Sequence, residues 1–179
     1  VHGDDKGLRL PPKIAPIQVV IIPILKKEDD LKVIDAFLKP ITEAFSKLGI
    51  RFKLDSRLKM SPGYKFNEWE MKGVPIRLEV GPRDMENNAV FCARRDIGEK
   101  QALSVNTAVE IIHPLLDEIQ TNMFEQALKF RSENTFTVGS YDEFKSQVKS
   151  GGFIRCGWDG DPHSEATIKK ETKATIRCI

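Results

Sequence analysis

The sequence predicts an α/β fold, and three observations carry the prediction. Strand-like and helix-like periodicities alternate along residues 17–131, the first strand candidate is a nearly unbroken β-branched run, and the helix candidates start and stop at capping residues. Alternation of this kind is the pattern of a sheet covered by helices. Length and composition agree, since 179 residues with 40% apolar and 30% charged side chains can bury a core, and 12 Gly with 10 Pro are too few for a low-complexity chain.

Residues 1–16 hold Gly3, Gly7, Pro11, Pro12 and Pro16, so they are expected to be an extended linker with a turn at Asp4-Asp5-Lys6-Gly7. The run 17–25 reads as a strand buried on both faces. Apolar residues at Leu31, Ile34, Phe37, Leu38, Ile41, Phe45 and Leu48 then match a helix over 30–48, with Asp29 or Asp30 as N-cap, Gly49 as C-cap and a kink at Pro40. A short strand over 50–54 completes a first strand–helix–strand unit. Ser-Pro-Gly opens a short helix over 61–71 that ends at Gly73, followed by a strand over 75–80 broken at Gly81-Pro82. Strand candidates at 89–93 and 101–105 flank a charged turn in which Gly98 can take a positive φ. A long helix follows, marked by apolar Leu115, Leu116, Ile119, Met123, Phe124, Ala127 and Leu128, with Pro114 best placed at its first position. From Thr135 a smaller unit is expected, with Tyr141, Phe144 and Val148 on a helix, a strand after Gly151-Gly152, a charged stretch and a final strand reaching Ile179. The domains thus expected are a linker at 1–16, an α/β domain at 17–131 and the start of an additional unit at 132–179.

Several function classes are disfavoured. A net charge of +2 is no basic footprint for a nucleic-acid or membrane surface, so such a partner must be read from local patches. The apolar run 17–25 is half of the ~18 residues a membrane span needs. The start of the chain lacks the apolar core of a secretory leader. Cys92, Cys156 and Cys178 form no C-x-x-C pair, which suits a reducing, cytoplasmic setting rather than a disulfide framework. His2, His113 and His163 are scattered, and the expected roles are linker, helix cap and surface loop. Cys156 before Gly157 suggests a zinc turn but has no close second Cys, and no phosphate-binding glycine motif occurs.

The densest chemistry lies at 65–84, where Phe66, Trp69, Glu70, Arg77, Glu79, Arg83 and Asp84 interleave aromatics, carboxylates and arginines. Arg bonds bidentately to guanine O6 and N7, a carboxylate accepts from guanine N–H groups, and aromatics stack exposed bases. Arg77 and Glu79 share a strand face, while Arg94, Arg95 and Lys100 flank the next turn and could supply phosphate contacts. The competing reading is a solvated strand edge with ordinary ion pairs.

Here the chain resembles prolyl-tRNA synthetase of the eukaryotic and archaeal type. The resemblance runs from HGDDKGLRLPPKIAPIQVVIIPI through SPGYKFNEWEMKGVPIRLEVGPRDM and ARRDIGEK to EATIKKETKATIRCI, nearly the whole chain. The synthetases for threonine, histidine and glycine share the fold but lack NEWEMKGVPIRLEVGPRD together with the KETKATIRC tail. The resemblance implies a five-stranded mixed sheet flanked by helices, the class II anticodon-binding fold, followed by the start of a small α+β C-terminal unit. It places the catalytic motifs, with their ATP, magnesium and proline, upstream of Val1, so this chain should bind proline tRNA without forming prolyl-adenylate. It also implies a homodimer built through that catalytic part. Anticodon contacts carry over onto Glu70, Arg77, Arg83 and Asp84, with Lys100 a further match. Phe66 or Trp69 is the expected base platform. Cys156 matches a zinc position of the family, but its expected partner is replaced by residues 157–163, so no metal is expected in this chain. A complete ligase would show ATP–pyrophosphate exchange with proline. An α/β domain reused for protein interaction or regulation would instead bind a protein and fail to bind proline tRNA.

Overall fold

The computed structural model describes residues 3–24 and 29–177. Contacts group the chain into two units, 1–124 and 125–179, that part within one long helix.

The first residues form a small hairpin, β1 (Gly3–Asp4) paired antiparallel with β2 (Gly7–Leu8). The expected extended linker is therefore ordered and tied down. Leu10 N donates to Gly73 O at 3.1 Å, and the Arg51 guanidinium donates to the carbonyls of Pro12, Lys13 and Ala15. Strand β3 (Val19–Pro23) is buried throughout, as its β-branched run requires. Next come α1 (Asp29–Lys47), β4 (Phe52–Leu54), α2 (Pro62–Met71), β5 (Ile76–Val80), α3 (Pro82–Glu86), β6 (Ala89–Arg94), β7 (Lys100–Ser104) and α4 (Val105–Glu133). Lys26 and Lys27, His2 and Cys178 lie outside the described residues.

The main sheet has the order β4-β3-β5-β6-β7, with β3 parallel to β4 and β5, and with β6 and β7 antiparallel to their neighbours. This is the five-stranded mixed sheet that the resemblance implied. One sheet face carries Val19, Ile21, Ile76, Leu78, Val80, Val90, Cys92 and Leu103. Onto it pack Ile34, Leu38, Ile41 and Phe45 of α1 and Ala108, Ile112, Leu115 and Ile119 of α4, spaced three or four apart as one helix face demands. Val20 and Ile22 point the other way and meet Trp69, Val74 and Phe66 beneath α2.

Helix α2 begins where expected, with the Ser61 hydroxyl accepting from Tyr64 N at 3.2 Å and Pro62 in the first turn. It ends at Gly73, whose φ of +74° suits glycine and whose missing Cβ leaves room for Leu8. A Cβ there would stand 2.8 Å from the Leu8 backbone, so Gly73→Ala should cost about 1–3 kcal/mol in chemical denaturation.

Two expectations about helices need correcting. Pro114 lies inside α4, not at its start, and His113 is likewise internal rather than a cap. Pro114 and Glu110 are both exposed, so the carbonyl that loses its helical donor can turn to water while the opposite face stays buried. Pro40 is similarly exposed within a continuous α1. Helix α3 was not expected, because five residues are too few to show a period.

The second unit pairs β8 (Thr135–Thr137) in parallel with β9 (Phe153–Arg155), joined through α5 (Tyr141–Ser150). Ser140 caps α5 by accepting from Glu143 N. Phe144 is the one buried apolar side chain among this unit's described residues. The charged stretch forms α6 (Pro162–Thr172), so His163 sits in a helical first turn rather than a loop. Residues 173–177, expected as a strand, are irregular.

Candidate nucleic-acid interface

Strand alternation and register decide which side chains share the sheet face turned away from α1 and α4. Arg77 of β5 is opposite Ala93 of β6, which is opposite Lys100 of β7. Glu79 is opposite Phe91, which is opposite Ala102. Helix α2 packs on β3, whereas Phe91 and Ala93 are half-exposed and Lys100 and Ala102 exposed. This half of the face is open to solvent.

Its centre is a charged cluster with aromatic walls. Glu79 is only 4% exposed. Its Oε1 accepts from Arg77 Nε at 3.0 Å, and its Oε2 is paired with Lys100 Nζ. The Arg77 guanidinium lies over the Phe66 ring at 4.5 Å, and Lys100 Nζ lies over Phe91 at 4.9 Å. With Nε engaged and one guanidinium face stacked, both Nη groups of Arg77 have no hydrogen-bond partner among the described residues. Such a fork can give two parallel hydrogen bonds to a planar acceptor pair, as on a guanine edge.

The other candidates are more dispersed. Glu70, in the last turn of α2, is partly exposed and faces Lys6 Nζ at 3.7 Å. Arg83 is exposed in α3, where its carbonyl, not its guanidinium, is engaged. The Asp84 carboxylate accepts from Gly81 N at 2.7 Å and so closes the N-terminus of its own helix. No hydrogen bond or ion pair joins Arg83 or Asp84 to the Arg77 cluster among the described residues; three strand residues, about 10 Å, and the turn at Gly81 separate them.

Three expected roles are corrected by burial. Trp69 is 5% exposed, its Nε1 donates to Asp55 Oδ2 at 2.7 Å, and Lys53 and Lys72 lie over its ring, so it is a core residue and offers no base platform. Arg94 holds Asp96 in a two-bond fork at 3.1 and 2.9 Å and also Glu118 at 2.5 Å. Arg95 forks onto Asp4 at 2.7 and 2.5 Å and donates to Gly7 O. Neither arginine is free to meet a phosphate, because each already satisfies a carboxylate.

The acids behind these pairs show the balance of forces. Burial alone would push Asp55 and Asp96 up, yet hydrogen bonds from Arg57 and Trp69 to Asp55, and from Arg94 and Asn122 to Asp96, hold both below the ordinary carboxylate range. Arg95 likewise holds Asp4 well down. Burial pushes the Cys92 thiol up to about 11, so this strand cysteine is inert packing.

Sequence reasoning placed Glu79 beside Arg77 but gave it no task, and it passed over Phe91. The signal for Phe91 was the alternation of β6, which sets it two residues from Ala93 on the open face. Cys156 is exposed, and no group of three or more His, Cys, Asp or Glu among the described residues is placed to hold a metal.

Residues 18–115 match the family model described as an anticodon binding domain, and residues 141–179 match that for the C-terminal domain of prolyl-tRNA synthetase. The proline–tRNA ligase of Porphyromonas gingivalis strain W83 is 51% identical over 178 residues, covering 99% of this chain and 36% of that protein. The proline–tRNA ligase of Chloroflexus aurantiacus is 50% identical over 181 residues, covering 99% and 37%. The crystal structure of prolyl-tRNA synthetase from Cryptosporidium parvum, complexed with L-proline and AMP, superposes with a TM-score of 0.85 at 38% identity, over 96% of this chain and 37% of that one. The chain therefore spans little more than a third of the length of these relatives.

Proposed function

The chain belongs to the prolyl-tRNA synthetase family, and from that premise we propose that its 1–124 unit reads the anticodon of proline tRNA. Proline codons begin with two cytosines, so the anticodon presents two guanines. The observation that carries this reading is the Arg77 fork, stacked on Phe66 and held by Glu79 on an open sheet face. Arg77 supplies the paired donors for O6 and N7, Phe66 and Phe91 supply apolar walls for a splayed base, and Lys100 adds positive charge at the rim. Glu70 and Arg83 extend the contact from the two ends of the face, with Asp84 holding the α3 turn that carries Arg83.

Prolyl transfer, with its ATP and magnesium, and dimerisation are assigned to the part of the relatives that these residues do not cover. The chain itself is proposed to work without a metal, in the cytoplasm. Among the described residues no helix is long and apolar enough to cross a membrane.

The test is a binding titration with proline tRNA and with a transcript whose two guanines are replaced, at several salt concentrations. Arg77→Ala should cost about 1–3 kcal/mol with the native RNA, roughly tenfold in affinity, and far less with the replaced one. Equal losses on both RNAs would reduce Arg77 to a phosphate contact and remove the base-reading role.

A further inference from the structure

We infer that Glu79 is the positioning residue of this face: it does not touch the base but sets the Arg77 guanidinium in the orientation that discriminates guanine. The inference rests on the anticodon reading above and assigns a task that the family motifs leave open.

Both oxygens of Glu79 are already spent. Oε1 accepts from Arg77 Nε and Oε2 is paired with Lys100, while the side chain is 5% exposed. A carboxylate so enclosed keeps its remaining acceptor sites out of reach of a guanine N–H, behind the two cations it holds. What it can do is restrict a long side chain. Arg77 has four rotatable side-chain bonds, and an unrestrained guanidinium would spread its donors over many orientations. Here Glu79 fixes the Nε edge and Phe66 fixes the plane, so the two Nη groups point to one place before any RNA arrives. Preorganisation of this kind raises affinity and selectivity by removing ordering costs from the binding step.

Electrostatics points the same way. Arg77 and Lys100 bring two cations to one cross-strand row with only the short Ala93 between them, and their repulsion would splay both side chains toward solvent. A single buried carboxylate between them joins β5 to β7 across β6 and keeps both cations on the face. Phe91, opposite Glu79 in the register, covers the pair from the β6 side.

The experiment measures discrimination, the ratio of dissociation constants for the guanine-replaced and native proline tRNAs, with the full 179-residue chain. Glu79→Ala should lower that ratio about tenfold and leave the salt slope unchanged, because no phosphate contact is lost. Glu79→Gln retains an acceptor for Arg77 Nε and should keep most of the ratio. In an Arg77→Ala background, Glu79→Ala should produce no further loss of discrimination, a coupling that a merely structural role would not create. Circular dichroism and melting of each variant identify any that unfold. If Glu79→Ala unfolds, the folded Glu79→Gln variant and its own Arg77→Ala cycle decide, and full discrimination that stays tied to Arg77 supports the inference. A folded Glu79→Ala with an unchanged ratio overturns it, as does an undiminished further loss in the Arg77→Ala background. If Arg77→Ala itself leaves discrimination intact, the anticodon reading fails first, and the two failures are thereby told apart.

Discussion

Asp55→Ala should destabilise the 1–124 unit by about 3–5 kcal/mol, measured by urea unfolding at neutral pH. Asp55 is 3% exposed and receives Trp69 Nε1 at 2.7 Å and the Arg57 fork at 2.8 and 2.6 Å. The Lys65 ammonium, itself 2% exposed, lies 4.0 Å from the same carboxylate and donates to the Asp55 carbonyl. Alanine removes the anion but leaves a buried ammonium and a buried indole N–H, and stranded buried partners are what make such substitutions costly. Burial already lowers Lys65 below the ordinary lysine value, so this ammonium has little to spare. The pH dependence has a definite sign. Folding depresses Asp55, so its contribution is present above the unfolded carboxylate value near ~4 and is lost as pH falls toward the folded value. The wild type should therefore lose stability on acidification more steeply than Asp55→Ala. Parallel acid limbs, or a neutral-pH loss under ~1 kcal/mol, would remove Asp55 from the centre of this account.

Asp96→Ala should cost a similar ~3–5 kcal/mol. Its side chain is fully buried, forked by Arg94, and bonded by Asn122 Nδ2 at 2.6 Å from α4. Glu118, 63% exposed, remains as an outer partner for Arg94 but cannot replace a dry one. The loss should appear as a lower urea midpoint with an unchanged slope. Because Arg94 is spent on this bond, Arg94→Ala should also leave the salt slope of RNA binding at the wild-type value; a slope reduced by about one would return it to the phosphate contacts.

These two acids show where sequence reading reaches its limit. The β-branched run of β3, the face of α1, the Ser61 cap and the alternation of Arg77 with Glu79 were legible because each is local, set by residues within a turn or two. The same holds for the fold class, since alternating periods need no knowledge of partners. The fate of Arg95 was not legible, because Asp4 is 91 residues away, and its charge pattern is the same whether it faces a phosphate or a carboxylate. Trp69 looked like a platform for the same reason, since its burial depends on Asp55 and on the sheet beneath α2. Pro114 misled because its preference for a first turn is real but weaker than the buried face of α4, which continues on both sides of it.

The hairpin at the start of the chain has a mechanical consequence. A Cβ on Gly7 would stand 2.4 Å from the Met71 Cα, so β2 is seated directly on the last turn of α2. Arg95 ties Asp4 and the Glu70 carbonyl together, and Lys6 faces the Glu70 carboxylate. A pull on the hairpin is thus borne by this seat before it reaches β3. Conversely, anything that draws Glu70 outward must either drag the hairpin with it or break the seat, so the hairpin and the last turn of α2 move as one piece.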